Sequence, residues 1–258
     1  MRTAQRQTVT GMRWRVMWTV ASLIVVETII LAAALAPVVT VWSYLASLPV
    51  TPGARVVIFA LAAGPSYAVF ALTLLPVSAI VTQLLGWRTP VGVEMRMADL
   101  EWPLLDWLRW VAVNHVARLL AGQMLRGTPP WTAYMRLSGA RVGRRVYVNS
   151  LSVSDYNLLE FGDDVVIGAD AHISGHTVEH GIVKTAPVRL GSHVTVGIGS
   201  IVEIGVTVGA HCQIGALSFV PKHATLDAGG VYVGIPARRI DAPAAGAQLL
   251  RTSTGGGS

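Results

Sequence analysis

The chain has 258 residues, enough for two compact units, and a single cysteine, which excludes an internal disulfide and demands no oxidising compartment. Hydrophobic residues make up 52% and charged residues only 13%, too apolar a balance for a chain that is soluble throughout. The formal charge of +6 does not point to nucleic acid, because Arg2, Arg6, Arg13, Arg15, Arg88 and Arg96 flank apolar runs, as positive loops of membrane proteins do.

Residues 16–86 carry only Glu27 and Arg55 as charges. The run at about 16–36 predicts a first membrane span, extendable to Leu48 with a kink at Pro37, since about 20 apolar residues cross a bilayer core. It is longer than the core of a secretory signal and ends at no small-x-small site, so a retained anchor is expected. After the turn Thr51-Pro52-Gly53, a second span is expected at about 56–86, with Gly64-Pro65 and Pro76 as kinks or a break. Two spans leave both ends on one side, which the arginine bias makes cytoplasmic. Residues 1–97 therefore read as a multi-pass domain of the plasma membrane.

Residues 98–136 read as an amphipathic helical connector. Leu104, Leu105, Leu108, Val111, Ala112, Leu119 and Leu120 recur at helical spacing, with Asp106, Arg109, Asn114, Arg118 and Arg126 between them. Trp102, Trp107, Trp110 and Trp131 sit in or beside this segment, a pattern of helices that lie in the membrane interface. Packing on the end of the next domain is the alternative, and the two are compatible.

From 137 to 240 the period changes. Leu190, Val196, Val202, Val208, Ile214 and Val220 recur every six residues, and a smaller residue follows four places on: Val194, Ser200, Val206, Cys212, Ser218 and Ala224. Phe161, Ile167 and Ile173 keep the spacing upstream, and Val142 and Val148 more loosely. A short fixed period signals a solenoid, here an all-β left-handed parallel β-helix of hexapeptide repeats, three flat sides per turn. Gly191, Gly197, Gly209 and Gly215 are expected to relieve the backbone at the corners, and Cys212 to lie in the core. His172, His193, His211 and His223 are expected at exposed corners. The polar stretch 174–186 interrupts the period and predicts an excursion loop, the first place to look for chemistry. Residues 241–258 have no periodicity and are expected to be a disordered tail.

At that interruption Ser-Gly-His-Thr-Val-Glu-His, residues 174–180, resembles the Thr-Gly-His-Pro-Val-His-His motif of galactoside and maltose O-acetyltransferases, members of the hexapeptide acyltransferase superfamily. The runs 194–209, Ile214–Lys222 and Val233–Ile240 are similar to the coils that follow in those enzymes. The order of apolar spans, Trp-rich helix, Leu-Arg-Gly-Thr-Pro at 125–129 and Leu-Ser-Gly-Ala-Arg-Val-Gly-Arg at 137–144 resembles the C-terminal membrane region of poly-lysine-synthetase-type nonribosomal peptide synthetases.

The first resemblance implies an acyltransferase, acetyl-CoA or another acyl-CoA as donor, no metal, and a homotrimer whose donor groove lies between subunits. It matches His176 to the general base, and a neutral imidazole suits proton removal from an attacking hydroxyl or amine near neutral pH. Glu179, Asp155 and Asn157 are the candidates for orienting that ring. Gly215, Ala216 and Ser218 would line the pantetheine, with Lys222, Arg238 and Arg239 toward the phosphates. Leu217 stands where the family has a glycine beside the thiol arm, and Thr195 where it has an acceptor-side tryptophan, so an acceptor other than an ordinary sugar is expected. His180 follows the motif only in part. A docking β-helix partnering a peptide synthetase, an exporter or a polysaccharide pathway is a second reading. A γ-carbonic-anhydrase-like zinc enzyme is a third, although its metal histidines would fall near Ile198 and Glu203.

Overall fold

The computed structural model describes the backbone of residues 2–240 and the side chains of residues 11–240; the tail expected to be disordered lies outside the described residues. Two long helices come first, α1 (Arg2–Ser47) and α2 (Pro52–Leu84). Thr51 caps α2, its Oγ1 accepting from the Ala54 amide at 3.3 Å, and Pro52 takes the first helical position, where its missing amide costs nothing. Trp42 Nε1 donates to Ser66 Oγ at 2.7 Å and ties the two helices near their connection. Both helices run through Pro37, Pro65 and Pro76, so of the expected kinks or break the break does not occur. In an apolar surrounding no water replaces backbone hydrogen bonds, and a helix keeps those that a proline leaves intact. Gly11–Ser47 and Pro52–Leu84 are each long and apolar enough to cross a membrane.

A helical layer follows: α3 (Trp102–Ala117), a π-helical turn at Arg118–Gly122, α4 (Gln123–Leu125) and α5 (Pro129–Leu137). Trp107, Trp110 and Trp131 are buried here and only Trp102 is exposed. The three therefore do not face a membrane interface; they fill the space between the long helices and the first β coils. Trp110 meets Tyr156 edge-on at 5.9 Å, a favoured aromatic geometry.

Residues 141–240 wind into a solenoid with three parallel ladders. Val196 pairs with Ile167 and Ile214, Val202 with Ile173 and Val220, and Val208 with Leu190 and Leu226, all in register. Each six-residue repeat is thus one side of a coil, and the aliphatic of every repeat from Leu190 to Val220 is buried. Cys212 is buried among them, its Sγ donating to the Asp227 carbonyl. An antiparallel strand, Arg238–Ile240, closes the last coil against Val231–Val233.

The glycines have a different reason from the one expected. Gly191, Gly197, Gly209 and Gly215 are not the positive-φ residues; those corners are held by His193, His211, Leu217 and His223 among others. A Cβ on Gly197 would lie 2.4 Å from the Ala216 amide nitrogen, and one on Gly191 2.6 Å from that of Ala210. Stacked coils sit one ladder spacing apart, and only hydrogen fits between them. His172 is also not at a corner: it lies in the strand His172–Ile173, its side chain outward.

The interruption is a hairpin rather than a loop. His176–Glu179 pairs antiparallel with Ile182–Thr185 across His180 and Gly181, both at positive φ, as a two-residue hairpin turn requires. The strand Glu94–Arg96 adds a third member. That partner is remote in sequence, which is why the polar run did not read as a strand.

Gly197→Ala is expected to destabilise the protein by about 1–3 kcal/mol through overpacking against backbone. Gly53→Ala, with nothing within 4 Å of its added carbon, is expected to change little. Thermal unfolding of the two variants in the same detergent checks this.

Candidate active site

Asp155 precedes a short 3-10 turn, Tyr156–Leu158, and sits at φ 56°, a left-handed conformation that Asp tolerates better than most residues. This sends its carboxylate inward, where it has no exposed surface. Such a group must be surrounded by donors. Oδ1 accepts from Thr89 Oγ1 at 2.7 Å and Trp107 Nε1 at 3.3 Å. Oδ2 accepts from His176 Nδ1 at 2.5 Å, Ser154 Oγ at 3.0 Å, the Gly175 amide at 3.2 Å and Ser174 Oγ at 3.3 Å. Burial pushes the Asp155 pKa up, but the hydrogen bond and charge of His176, helped by Thr89 and Ser154, outweigh it and hold the carboxyl below its ordinary value.

An ionised carboxylate only accepts, so Nδ1 of His176 carries the proton and Nε2 is left with its lone pair. Burial lowers the His176 pKa, yet the hydrogen bond and charge of Asp155 prevail and raise it above the ordinary imidazole value. The ring also meets Trp107 edge-on, with centroids 5.0 Å apart. The imidazole is fixed on one nitrogen and available on the other, the arrangement of an oriented general base.

His176 lies at the wall of a cleft of about 440 Å³, with His115, Arg118, Leu119, Leu151 and His172 among its other lining residues. The helical side of the cleft is the π-turn. Such turns are rare and recur at functional sites. Gly122 makes this one possible beside the solenoid, because a Cβ there would lie 2.8 Å from Leu151 Cδ2. Arg118 Nη1 donates to the Leu151 carbonyl at 3.1 Å across the same contact.

Of the candidates for orienting His176, the structure brings Asp155 to it. Asn157 instead exchanges two hydrogen bonds with the backbone of Thr89, accepting at 3.2 Å and donating at 2.7 Å, and so holds the segment that delivers Thr89 to Asp155. Glu179 is drawn away by Lys222 and by Lys184 at 3.4 Å, and the Lys222 hydrogen bond holds its carboxyl below the ordinary value. Among the residues expected to bind the donor, the Gly215 amide donates to the Tyr232 carbonyl and its own carbonyl accepts from Ser200 Oγ, each at 2.8 Å. Ser218 is buried and accepts from the Gly234 amide at 3.1 Å. Ala216 stacks over Gly197, and Arg238 and Arg239 are in the exposed closing strand. Among the described residues no three His, Cys, Asp or Glu side chains are grouped to hold a metal ion. Thr89, Trp107 and Arg118 had no motif to mark them; Ser154 and Ser174 at least flank candidates.

A parallel β-solenoid carrying a buried carboxylate–imidazole pair at an inserted hairpin is the class that fold and site define. No protein-family model matches the chain. It is 32% identical over 111 residues to the galactoside O-acetyltransferase of Escherichia coli (strain K12), covering 40% of this chain and 54% of that protein. It is 26% identical over 161 residues to the Delta-poly-L-ornithine synthetase of Acinetobacter baumannii (strain AB307-0294), covering 61% of this chain and 12% of that protein. The chain thus spans about half the length of one curated relative and about an eighth of the other. Among solved structures it is similar to a maltose O-acetyltransferase from Clostridium difficile 630, with TM-score 0.43, 19% identity and coverage of 64% of this chain and 95% of that one. A galactoside acetyltransferase in complex with coenzyme A aligns with TM-score 0.36 at 25% identity, over 43% of this chain and 69% of that one.

The His176 imidazole is expected to titrate above 6.5, its ordinary value, and Asp155→Asn to bring that midpoint down, because the anionic partner is lost while burial remains. Histidine side-chain NMR across a pH series measures both.

Proposed function

We propose that the chain is a membrane-anchored acyltransferase that uses an acyl-CoA, with acetyl-CoA the first donor to try, and His176 as general base. The observation that carries this reading is the 2.5 Å contact between His176 Nδ1 and a buried, ionised Asp155, which leaves Nε2 free beside a cleft. The acceptor hydroxyl or amine attacks the thioester carbonyl while Nε2 takes its proton. The tetrahedral intermediate then expels the CoA thiolate, which receives that proton back from the imidazolium. Asp155 stays ionised throughout and stabilises the imidazolium. The likeness to the galactoside O-acetyltransferase agrees with this chemistry.

The solenoid is taken as left-handed and the assembly as a trimer. An apolar strip supports the second point: Ile198 is 60% and Leu217 71% exposed, beside Ile201 and Phe219 on the outer face of the ladder that also carries His172. A second subunit covering this strip would close a donor groove next to His176, with Ala216, Lys222, Arg238 and Arg239 at its far end and Ser218 buried behind it. Glu179 then acts as the lysine-bound brace of the hairpin, and Asn157 as a positioning residue through Thr89. The two apolar helices anchor the protein in the plasma membrane, with the arginine-flanked side and the solenoid cytoplasmic. The likeness to the ornithine polymer synthetase favours a peptide-synthetase pathway as the setting.

Thiol release from acetyl-CoA is expected to fall about 10²–10⁴-fold in His176→Ala and comparably in Asp155→Asn. A general base must be neutral, so activity is expected to rise with pH through the raised His176 pKa. A flat profile from pH 5 to 8 with His176→Ala unimpaired would overturn the catalytic reading in favour of a docking β-helix. For the assembly, Leu217→Asp is expected to convert trimer to monomer in light scattering of the detergent-solubilised protein.

A further inference from the structure

The cleft beside His176 has two kinds of wall. Its floor carries one fixed positive charge, Arg118, beside His115, His172 and His176, and among the described residues its lining contains no carboxylate. Only Nη1 of the Arg118 guanidinium is engaged, with the Leu151 carbonyl. Burial lowers the pKa of both His172 and His176; Arg118 adds to that at each, and Glu203 opposes it. Its lip is apolar: Leu119 is 66% exposed at the outer edge, next to the exposed Met124.

The lip is joined to the long helices. Tyr67, in α2, donates to the carbonyl of Leu120, within the π-turn, at 2.8 Å. Tyr67 thus joins the π-turn to one of the two apolar helices that the anchoring reading places in the membrane. Exposed apolar side chains of α2 lie on both sides of Tyr67, Val56, Val57 and Leu61 before it and Val69 and Leu72 after it, while Ala71, Leu74 and Leu75 are buried against protein. Exposed apolar surface on α2 thus reaches, through Tyr67, the turn that carries Leu119 and Arg118.

We propose that the acceptor is an anionic membrane amphiphile, entering from the bilayer surface with its tail across Leu119 and its charged headgroup at Arg118, which presents a hydroxyl or amine to His176. This rests on the acyl-transfer and membrane-anchoring readings above and names the acceptor class for them. The headgroup nucleophile bonds to the acyl carbon, its proton passes to Nε2 of His176, and CoA leaves as the thiol, so no further reactant is needed. Arg118 is a positioning residue, not a catalytic one. A cationic acceptor would meet the charge of Arg118 in this cleft.

The test uses the full chain in nanodiscs of phosphatidylcholine with or without phosphatidylglycerol, an anionic lipid with headgroup hydroxyls. Native mass spectrometry is expected to show phosphatidylglycerol retained in preference to phosphatidylcholine. Retention should drop at least about tenfold, the scale of one lost charge-assisted contact, in Arg118→Gln, and also in Leu119→Asp, while Arg118→Lys keeps it. Thiol release from acetyl-CoA should be faster with phosphatidylglycerol in the bilayer than with glycerol 3-phosphate added to phosphatidylcholine discs. Equal retention of the two lipids, or equal rates from glycerol 3-phosphate, overturns the lipid acceptor. Thiol release from that soluble acceptor, lost in His176→Ala, would meanwhile leave the acyltransferase reading standing. If acetyl-CoA is neither bound nor cleaved under any condition, the acyl-transfer reading fails and the lipid acceptor falls with it.

Discussion

A carboxylate with no exposed surface is tolerable only if donors meet it from every side, and Asp155 draws its donors from three separate parts of the chain. Thr89 comes from the segment after the long helices, Trp107 from the helical layer, and Ser154, Ser174, Gly175 and His176 from the solenoid. Each donor satisfies a charge that would otherwise oppose folding. The same contacts lock the helical layer onto the solenoid at the point where the imidazole is presented. Site geometry and domain docking are therefore one interaction.

The solenoid supplies the rigidity this needs. Its ladders pair in register from Val148 to Tyr232, and its interior is filled by the aliphatic of each repeat. Ser174 and His176 leave the coil immediately after the strand His172–Ile173, so the His176 ring is attached to a part of the fold that cannot shift without breaking a ladder. The hairpin that follows is stiffened by Glu94–Arg96 and by Lys222 and Lys184 on Glu179. The helical side is built differently. There the π-turn and Gly122 let a helix approach Leu151 and expose Arg118 and Leu119 to the cleft, a local departure from regular geometry that shapes the pocket.

The sequence was most legible where a pattern repeats. The spacing of Leu190 to Val220 located the core positions and the coil length, because one side chain in six must point inward on a flat side of fixed length. His176 was legible through its motif. Its partner was one of three named candidates, and composition had no means to choose, since Asp155, Asn157 and Glu179 can all accept a hydrogen bond. The tryptophans misled for a related reason. Their type suits both an interface and a core, and only the presence of the solenoid beneath them placed Trp107, Trp110 and Trp131 inside.

What the sequence determined by itself is periodic or compositional: two apolar helices, a six-residue coil, a histidine at the interruption. These follow from the nearest few residues, because helix, ladder and turn are set by local spacing. What only the tertiary structure decided is every contact between distant segments: Thr89 and Trp107 on Asp155, Glu94–Arg96 on the hairpin, and Tyr67 on the π-turn. Hydrogen bonds across such separations depend on where whole elements come to rest, and that is fixed by packing, which no short window of residues encodes.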